Sequence, residues 1–187
     1  MNSELSLYVS SWNQNEYIPT ESRCLKYGQN KSPSLSWTFT SNQYNKIKSY
    51  ALILQDISAH NYIHWYIPFI DKNIRNIEEN IYHYEKNKKN IKHFHLQQFY
   101  NKNKNIKVKQ GLNTHGTYGY FGPCPPIGSG KHEYIFYLFA LDGDITKTMN
   151  HQNDIYKPKT KDEFISLCEN NGIHIVTTTQ KSYFLEL

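Results

Sequence analysis

Residues 119–142, GYFGPCPPIGSGKHEYIFYLFALD, decide how the rest of the chain can fold. The first half cannot form a helix, because its prolines lack backbone donors and its glycines permit φ values that other residues resist. The second half, His132–Leu141, is rich in aromatic and branched residues, which favours a strand. The stretch therefore predicts a stiff, turned loop that leads directly into a buried strand. Binding sites are concentrated on loops that a rigid scaffold holds in this way.

Strand patterns recur on both sides of this stretch. The first predicted strand is an edge strand within residues 1–18, where Leu5, Leu7 and Val9 would share one face. The further predicted strands are residues 32–37, 49–56, 63–70 and 173–184. Ser49–Asp56 is a continuous apolar run, and its length suits a strand buried on both faces. Pro68 limits its strand to a sheet edge or to the end of the strand, because proline cannot donate to the ladder. Ile74, Ile77 and Ile81 have helical spacing, so this region would tolerate a helix.

One helix is predicted near the carboxyl end of the chain. Thr160 and Glu163 have the spacing of a capping box, and an amphipathic face follows them. Asn171 and Gly172 then supply a stop signal. With 187 residues, the chain is predicted to be a single mostly-β (α+β) domain over residues 1–187 with one or two helices.

The composition of the chain limits which partners it can bind and indicates the cellular compartment in which it folds. The net charge of +5 permits weak attraction to anions but does not by itself indicate a nucleic-acid partner. No apolar run approaches the ~20 residues of a membrane span, and no signal-peptide pattern opens the chain. The three cysteines are odd in number and include no CxxC pair, which predicts free thiols in a reducing compartment. We therefore expect a cytoplasmic protein that does not span a membrane.

Residues 85–109 are dominated by Lys and Asn and predict a long surface excursion. His93 and His95 have no third ligand at the spacing of a tetrahedral metal site. The lysines, together with Phe94, Phe99 and Tyr100, could contact RNA or an anionic membrane, although a solvated loop is the simpler interpretation.

Three residues have two open interpretations each. Asp56 ends a buried strand, so it is either a site residue or the cap of the next turn. His64 is either a hydrogen-bonded core histidine or a site residue. Cys124 either fills space or offers a thiol, but no neighbour in the sequence obviously lowers its pKa.

Several motifs together resemble the phosphatidylethanolamine-binding proteins, also called the Raf kinase inhibitor protein family, and most closely the bacterial-type branch. The matching segments are Ser32–Trp37, Asp56-Ile57-Ser58-Ala59-His60, His64-Trp65, Gly122-Pro123-Cys124-Pro125-Pro126 and His132-Glu133-Tyr134. The family motif Asp-Pro-Asp-Ala-Pro keeps its first acid here as Asp56. Ser58 replaces the second acid, and His60 replaces a proline, which should loosen the turn.

The resemblance implies a β-sandwich with a central antiparallel sheet, peripheral helices and a small cavity for phosphate, acetate or a phospholipid head group. Its expected ligand-binding residues are Asp56, His64, Pro125, His132 and Tyr134, with Gly122 and Cys124 in the same loop. The histidines and the tyrosine hydroxyl would donate to the anion, and Asp56 would orient a histidine or accept from a ligand amine. No cofactor is implied.

The predicted function is that of an intracellular anion-binding or phospholipid-binding protein. Family members are implicated as modulators of kinase signalling or as protease inhibitors, and bacterial-type relatives often form homodimers. One alternative is an interaction protein that acts through residues 85–109 and keeps a relic pocket. Another is a hydrolase that uses Asp56 and a histidine as an acid/base pair, but the sequence offers only Cys124 as a nucleophile near the pocket.

Overall fold

The computed structural model describes residues 4–12, 16–40, 42–80, 108–148 and 152–187. The strands of these residues are β1 (Leu5–Val9), β2 (Leu35–Phe39), β3 (Ser49–Asp56), β4 (Tyr62–Asp71), β5 (Asn76–Ile77), β6 (Val108–Lys109), β7 (His132–Leu141) and β8 (Ile175–Leu185). The helices are α1 (Ile145–Thr148), α2 (Gln152–Ile155) and α3 (Lys161–Asn170). Short 3₁₀ turns lie at Thr20–Ser22 and Asn42–Lys46.

The strands form two antiparallel sheets. The smaller sheet has the order β1-β2-β5, and the larger one has the order β6-β4-β3-β7-β8. The inward side chains of the small sheet, such as Leu7 and Trp37, pack with Tyr50, Leu52 and Phe136 of the large sheet in one apolar cluster. Two facing sheets around a shared core form a β-sandwich, which confirms the predicted fold class.

The other face of the large sheet is covered by helices. Ala51, Ile53 and Phe139 lie in a second apolar cluster with Phe164 and Cys168 of α3. The central strand β3 is therefore covered on both sides, and each of its residues is buried. This arrangement confirms the prediction made from its continuous apolar run.

Pro68 lies inside β4, which runs between β3 and β6, so the prediction of an edge or strand end was wrong. The pairing with β3 steps from Tyr50–Ile70 to Leu52–Ile67, which leaves two residues of β4 opposite one of β3. Such a bulge leaves a residue outside the hydrogen-bonded ladder, and this is how a sheet interior accommodates a proline.

The helical spacing of Ile74 and Ile77 does not produce a helix. Ile77 instead pairs with Leu35 as part of β5, and it is buried in the cluster between the sheets. Tertiary pairing has overridden local periodicity here. Ile81 and residues 85–107 of the predicted excursion lie outside the described residues, whereas Val108 and Lys109 pair with β4.

The local signals around α3 are confirmed. Thr160 Oγ1 accepts a hydrogen bond from the Glu163 backbone N–H, and Glu163 Oε2 accepts one from the Thr160 N–H. This reciprocal capping box satisfies two donors at the start of the helix. Gly172 follows the helix at a φ of 67°, where glycine is the favoured residue. Among the described residues, no helix is both long and apolar enough to cross a membrane.

Candidate functional site

Three neighbouring strands bring the predicted polar residues to one end of the large sheet. Asp56, the last residue of β3, pairs with Tyr62 at the start of β4 and with Tyr134 near the start of β7. His64 and His132 stand on the same two flanking strands. Because antiparallel neighbours alternate in direction, the end of β3 and the beginnings of β4 and β7 meet at the same edge.

A cavity of about 360 Å³ opens at this edge, which is a volume suited to a small ligand. Six of the seven predicted site residues line it: Asp56, His64, Cys124, Pro125, His132 and Tyr134. Gly122, the seventh, does not line the cavity and instead packs against the backbone behind the loop. The cavity is completed by Ala59, Tyr62, Phe121 and Pro126, which the sequence analysis did not single out.

The side chain of His132 is held on both sides. Its Nδ1 lies 2.8 Å from Asp56 Oδ2, and its Nε2 lies 3.0 Å from Ser129 Oγ. The Ser129 hydroxyl donates to the carbonyl oxygen of Pro126 at 2.6 Å. Asp56, His132 and Ser129 thus form a connected chain of hydrogen bonds. Because the Ser129 hydroxyl hydrogen points to the Pro126 carbonyl and not to His132, this chain orients the His132 ring and does not activate Ser129 as a nucleophile. Neither ring nitrogen of His132 is free for a ligand while these contacts persist.

His64 presents different chemistry. Its Nδ1 donates to the carbonyl oxygen of Phe121 at 2.7 Å, which fixes the neutral ring in the tautomer whose Nε2 is an acceptor. Burial lowers the pKa of His64 to about 4, against the smaller opposing effects of the Phe121 carbonyl and the Asp56 carboxylate. His64 is therefore neutral near pH 7, and its Nε2 is an acceptor rather than the expected donor.

The burial of His64 predicts that the folded protein loses stability at acidic pH. The unfolded chain binds a proton at His64 below its ordinary pKa of 6.5, whereas the folded protein does so only near pH 4. The contribution of neutral, buried His64 to the free energy of unfolding is therefore fully present above pH 6.5 and is lost as the pH falls towards 4. The total loss should be about 3 kcal/mol. Urea unfolding of the wild type and of His64→Asn across this range measures it, and an equally steep decline in both proteins would contradict it.

Tyr134 supplies the donor that His64 lacks. Its hydroxyl is buried and makes no hydrogen bond of normal geometry among the described residues, although the Asp56 carboxylate lies close enough to act as a weak acceptor. Burial, reinforced by the nearby Asp56 carboxylate, raises the pKa of Tyr134, so the hydroxyl keeps its hydrogen. A buried hydroxyl without a well-formed hydrogen bond is costly, so this donor in the cavity wall has unused hydrogen-bonding capacity.

The departures from the family motif have structural explanations in the turn between β3 and β4. His60 has a φ of 50°, a left-handed conformation that proline cannot adopt, so the family's proline would not fit this backbone. Ser58 Oγ accepts from the N–H of Glu133, and the Ser58 N–H donates to Asp56 Oδ1. The serine thus links the turn to β7 beside His132 and also helps to hold Asp56.

The predicted free thiols of Cys24 and Cys124 are wrong, because these residues form a disulfide. They are 100 residues apart in sequence, so their spacing carries no local signal. The link joins two segments that are also hydrogen-bonded, which we call the clasp (residues 20–30) and the ligand loop (residues 120–126). Among the described cysteines, Cys168 is free, and burial raises the pKa of its thiol to about 12, so it is unreactive.

The clasp and the ligand loop lie in close backbone contact. The Cys24 N–H donates to the carbonyl oxygen of Pro123 at 3.0 Å, and the Gly122 N–H donates to Asn30 Oδ1 at 2.7 Å. A Cβ atom at Gly122 would lie 2.5 Å from backbone atoms of Arg23 and Cys24. Gly122 therefore shapes the site indirectly, by allowing the clasp to seat behind the loop.

These features define a class: mostly-β proteins that bind a small ligand where the strand ends of a central sheet meet a rigid loop. The family model described as phosphatidylethanolamine-binding protein matches residues 9–181. A UPF0098 protein from Methanothermobacter thermautotrophicus is 34% identical over 140 residues, which cover 74% of this chain and 77% of the relative. The chain belongs to the phosphatidylethanolamine-binding protein family.

Two solved structures share the fold. Escherichia coli YbcL, a member of the same family, matches with a TM-score of 0.68 at 18% identity and covers 99% of both chains. The Chlamydia trachomatis protein CT736 matches with a TM-score of 0.66 at 24% identity, over 100% of this chain and 99% of its own. At these identities the similarity establishes the architecture and not the ligand.

Proposed function

We propose that this protein binds a small phosphate-bearing ligand, either free phosphate or a phospholipid head group, in the cavity between the ligand loop and the edge of the sheet. The observation that carries this proposal is the Tyr134 hydroxyl, a buried donor in the cavity wall that makes no hydrogen bond of normal geometry to the described residues. A phosphate oxygen would satisfy it with a charge-assisted hydrogen bond, which is stronger than a neutral one.

The acceptors of the cavity favour a ligand that also carries hydrogens. Among the described residues, no hydrogen bond reaches His64 Nε2, and the Asp56 carboxylate borders the same cavity. An ammonium group could donate to either, as the amine of an ethanolamine head group would. A phosphate oxygen beside His64 would instead favour its protonated form, so binding of an anion there should take up a proton.

The proposal is tested by titrating phosphate and phosphorylethanolamine into the protein while NMR follows the histidine side chains. We expect chemical-shift changes at His64 and His132, with His64 Nε2 gaining hydrogen-bonded or protonated character. Phosphorylethanolamine should bind more tightly than phosphate, because only it carries an ammonium donor. No change at millimolar ligand would refute the pocket as an anion site.

The chain contains a matched control for this experiment. His174 Nδ1 lies 2.8 Å from Asp142 Oδ2, which reproduces the distance of the His132–Asp56 pair. His174 is exposed at the opposite end of β7, about 30 Å away along a ten-residue strand. Its resonances should therefore stay unchanged, and His174→Ala should bind as the wild type does, whereas His132→Ala should lose the response.

A further inference from the structure

We propose that Cys124 is a thiol–disulfide exchange site reached through the ligand cavity, and that reduction of the Cys24–Cys124 bond loosens the ligand loop and weakens ligand binding. The chemical partner would be a thiolate reductant, such as a monothiol of the glutathione type or a dithiol. The part concerning affinity rests on the function proposed above, whereas the exchange reaction itself does not.

The two sulfur-bearing residues differ in accessibility. Cys24 is 2% exposed and sits behind the ligand loop, whereas Cys124 is half-buried and lines the cavity. An incoming thiolate must approach one sulfur and expel the other. The cavity gives a route to Cys124, so the attack is directed there, and Cys24 is the leaving group.

The reaction balances with the reductant alone. The thiolate sulfur bonds to Cys124 Sγ as the Sγ–Sγ bond breaks, and Cys24 leaves as a thiolate that takes a proton from water. With a dithiol, the second thiol then attacks the mixed disulfide and releases Cys124 as a thiol. The protein disulfide gains two electrons, and the dithiol is oxidised to its own disulfide.

The ligand loop has few other tethers at Cys124. Pro123, Pro125 and Pro126 cannot donate backbone hydrogen bonds. The described hydrogen bonds of the loop backbone to the clasp and to β4 come at Phe121, Gly122 and the carbonyl of Pro123, all before Cys124. After Cys124, the Pro126 carbonyl accepts from the N–H and the hydroxyl of Ser129, which lies in the turn that follows the loop. The disulfide is thus the covalent tether directly beside Pro125 and Pro126, which form one wall of the cavity. Without it, a ligand would have to order this wall on binding, which lowers affinity.

The coupling must be reciprocal. If reduction weakens ligand binding by a given factor, then bound ligand makes the disulfide harder to reduce by the same factor, since both describe one coupling free energy. A ligand in the cavity also covers the approach to Cys124, so it should slow the attack itself. Protein with bound ligand should therefore keep its Cys24–Cys124 disulfide at a reductant concentration that reduces this bond in ligand-free protein.

The first experiment tests the site of attack and needs no ligand. Oxidised protein is exposed briefly to glutathione, free thiols are blocked with iodoacetamide, and the cysteines are mapped by mass spectrometry. We expect glutathione on Cys124 and the alkyl group on Cys24, with Cys168 unmodified in folded protein. The reverse assignment, or no exchange in folded protein, overturns the proposal.

The second experiment measures phosphorylethanolamine affinity for the oxidised wild type, the dithiothreitol-reduced wild type and Cys24→Ala, a variant that leaves every cavity residue in place. We expect about tenfold weaker binding by the reduced protein and by the variant. Cys168→Ala is the control and should respond to reduction as the wild type does.

Equal affinity in all states overturns the coupling while leaving the proposed function intact. Absence of binding to every form refutes the proposed function and, with it, the coupling. The mapping experiment still decides whether Cys124 is the exchange site.

Discussion

Replacing Tyr134 with phenylalanine should weaken phosphorylethanolamine binding about 10- to 100-fold while making the empty protein about 1 kcal/mol more stable. The substitution removes only the hydroxyl. In the ligand-free protein this group is buried and makes no well-formed hydrogen bond to the described residues, so its removal relieves a desolvation cost. In the complex the same group is expected to donate to an anion, so its removal discards a charge-assisted hydrogen bond. Calorimetric titration and urea unfolding measure the two effects.

Tyr66→Phe is the matched control for this prediction. The Tyr66 hydroxyl is also buried and has no hydrogen-bond partner in the part of the chain that the structure describes, but it lies in the apolar cluster on the helix-covered face of the sheet. This variant should gain a similar stability and bind the ligand as the wild type does. A Tyr134→Phe protein that is more stable but binds normally would show that the Tyr134 hydroxyl does not contact the ligand.

Gly122→Ala should produce the largest loss of stability of the variants considered, about 3 kcal/mol. The added Cβ would lie 2.5 Å from backbone atoms of Arg23 and Cys24 and 2.6 Å from the carbonyl oxygen of Ser22. A backbone contact of this kind cannot be relieved by turning a side chain, so the clasp must move away from the ligand loop. Urea unfolding with the disulfide intact gives the free energy of unfolding.

Gly116→Ala separates this clash from the general cost of replacing a glycine. Gly116 has a φ of 84°, and a Cβ there would meet no atom of the described residues within 4 Å. Its replacement should cost only the left-handed conformation of an L-residue, about 1 kcal/mol. If the two variants were equally stable, the contact between clasp and loop would not be tight enough to position the site.

Most of the long strands were readable from local patterns. The apolar run of Ser49–Asp56 predicted a strand covered on both faces, and the aromatic run predicted β7 with the same bounds as the structure. Both follow from the length and residue types of an apolar run and from the turn residues that bound it, which act over a few residues. The predicted acid and histidines met at one edge because antiparallel strands carry their ends there.

Where prediction failed, contacts distant in sequence decided the outcome. Ile77 joined a short strand because Leu35 offered a partner, and Pro68 stayed inside β4 because a bulge absorbed its missing donor. Ser129 was not singled out, although a serine three residues before a site histidine on a Gly-rich turn was a signal that could have been followed. Its role depends on the fold of that turn, which places it beside His132 Nε2.

By itself, the sequence determined the mostly-β class, because periodicity and turn residues are properties of neighbouring residues. The sandwich and the grouping of Asp56, His64, His132 and Tyr134 followed from the resemblance of its motifs to a known family. Only the tertiary structure decided that Cys24 joins Cys124, that neutral His64 offers an acceptor, and that His132 is held at both nitrogens. Disulfide pairing, burial and hydrogen-bond direction depend on which groups meet across the fold. These tertiary contacts, rather than the residue types alone, determine which donors and acceptors the pocket offers to a ligand.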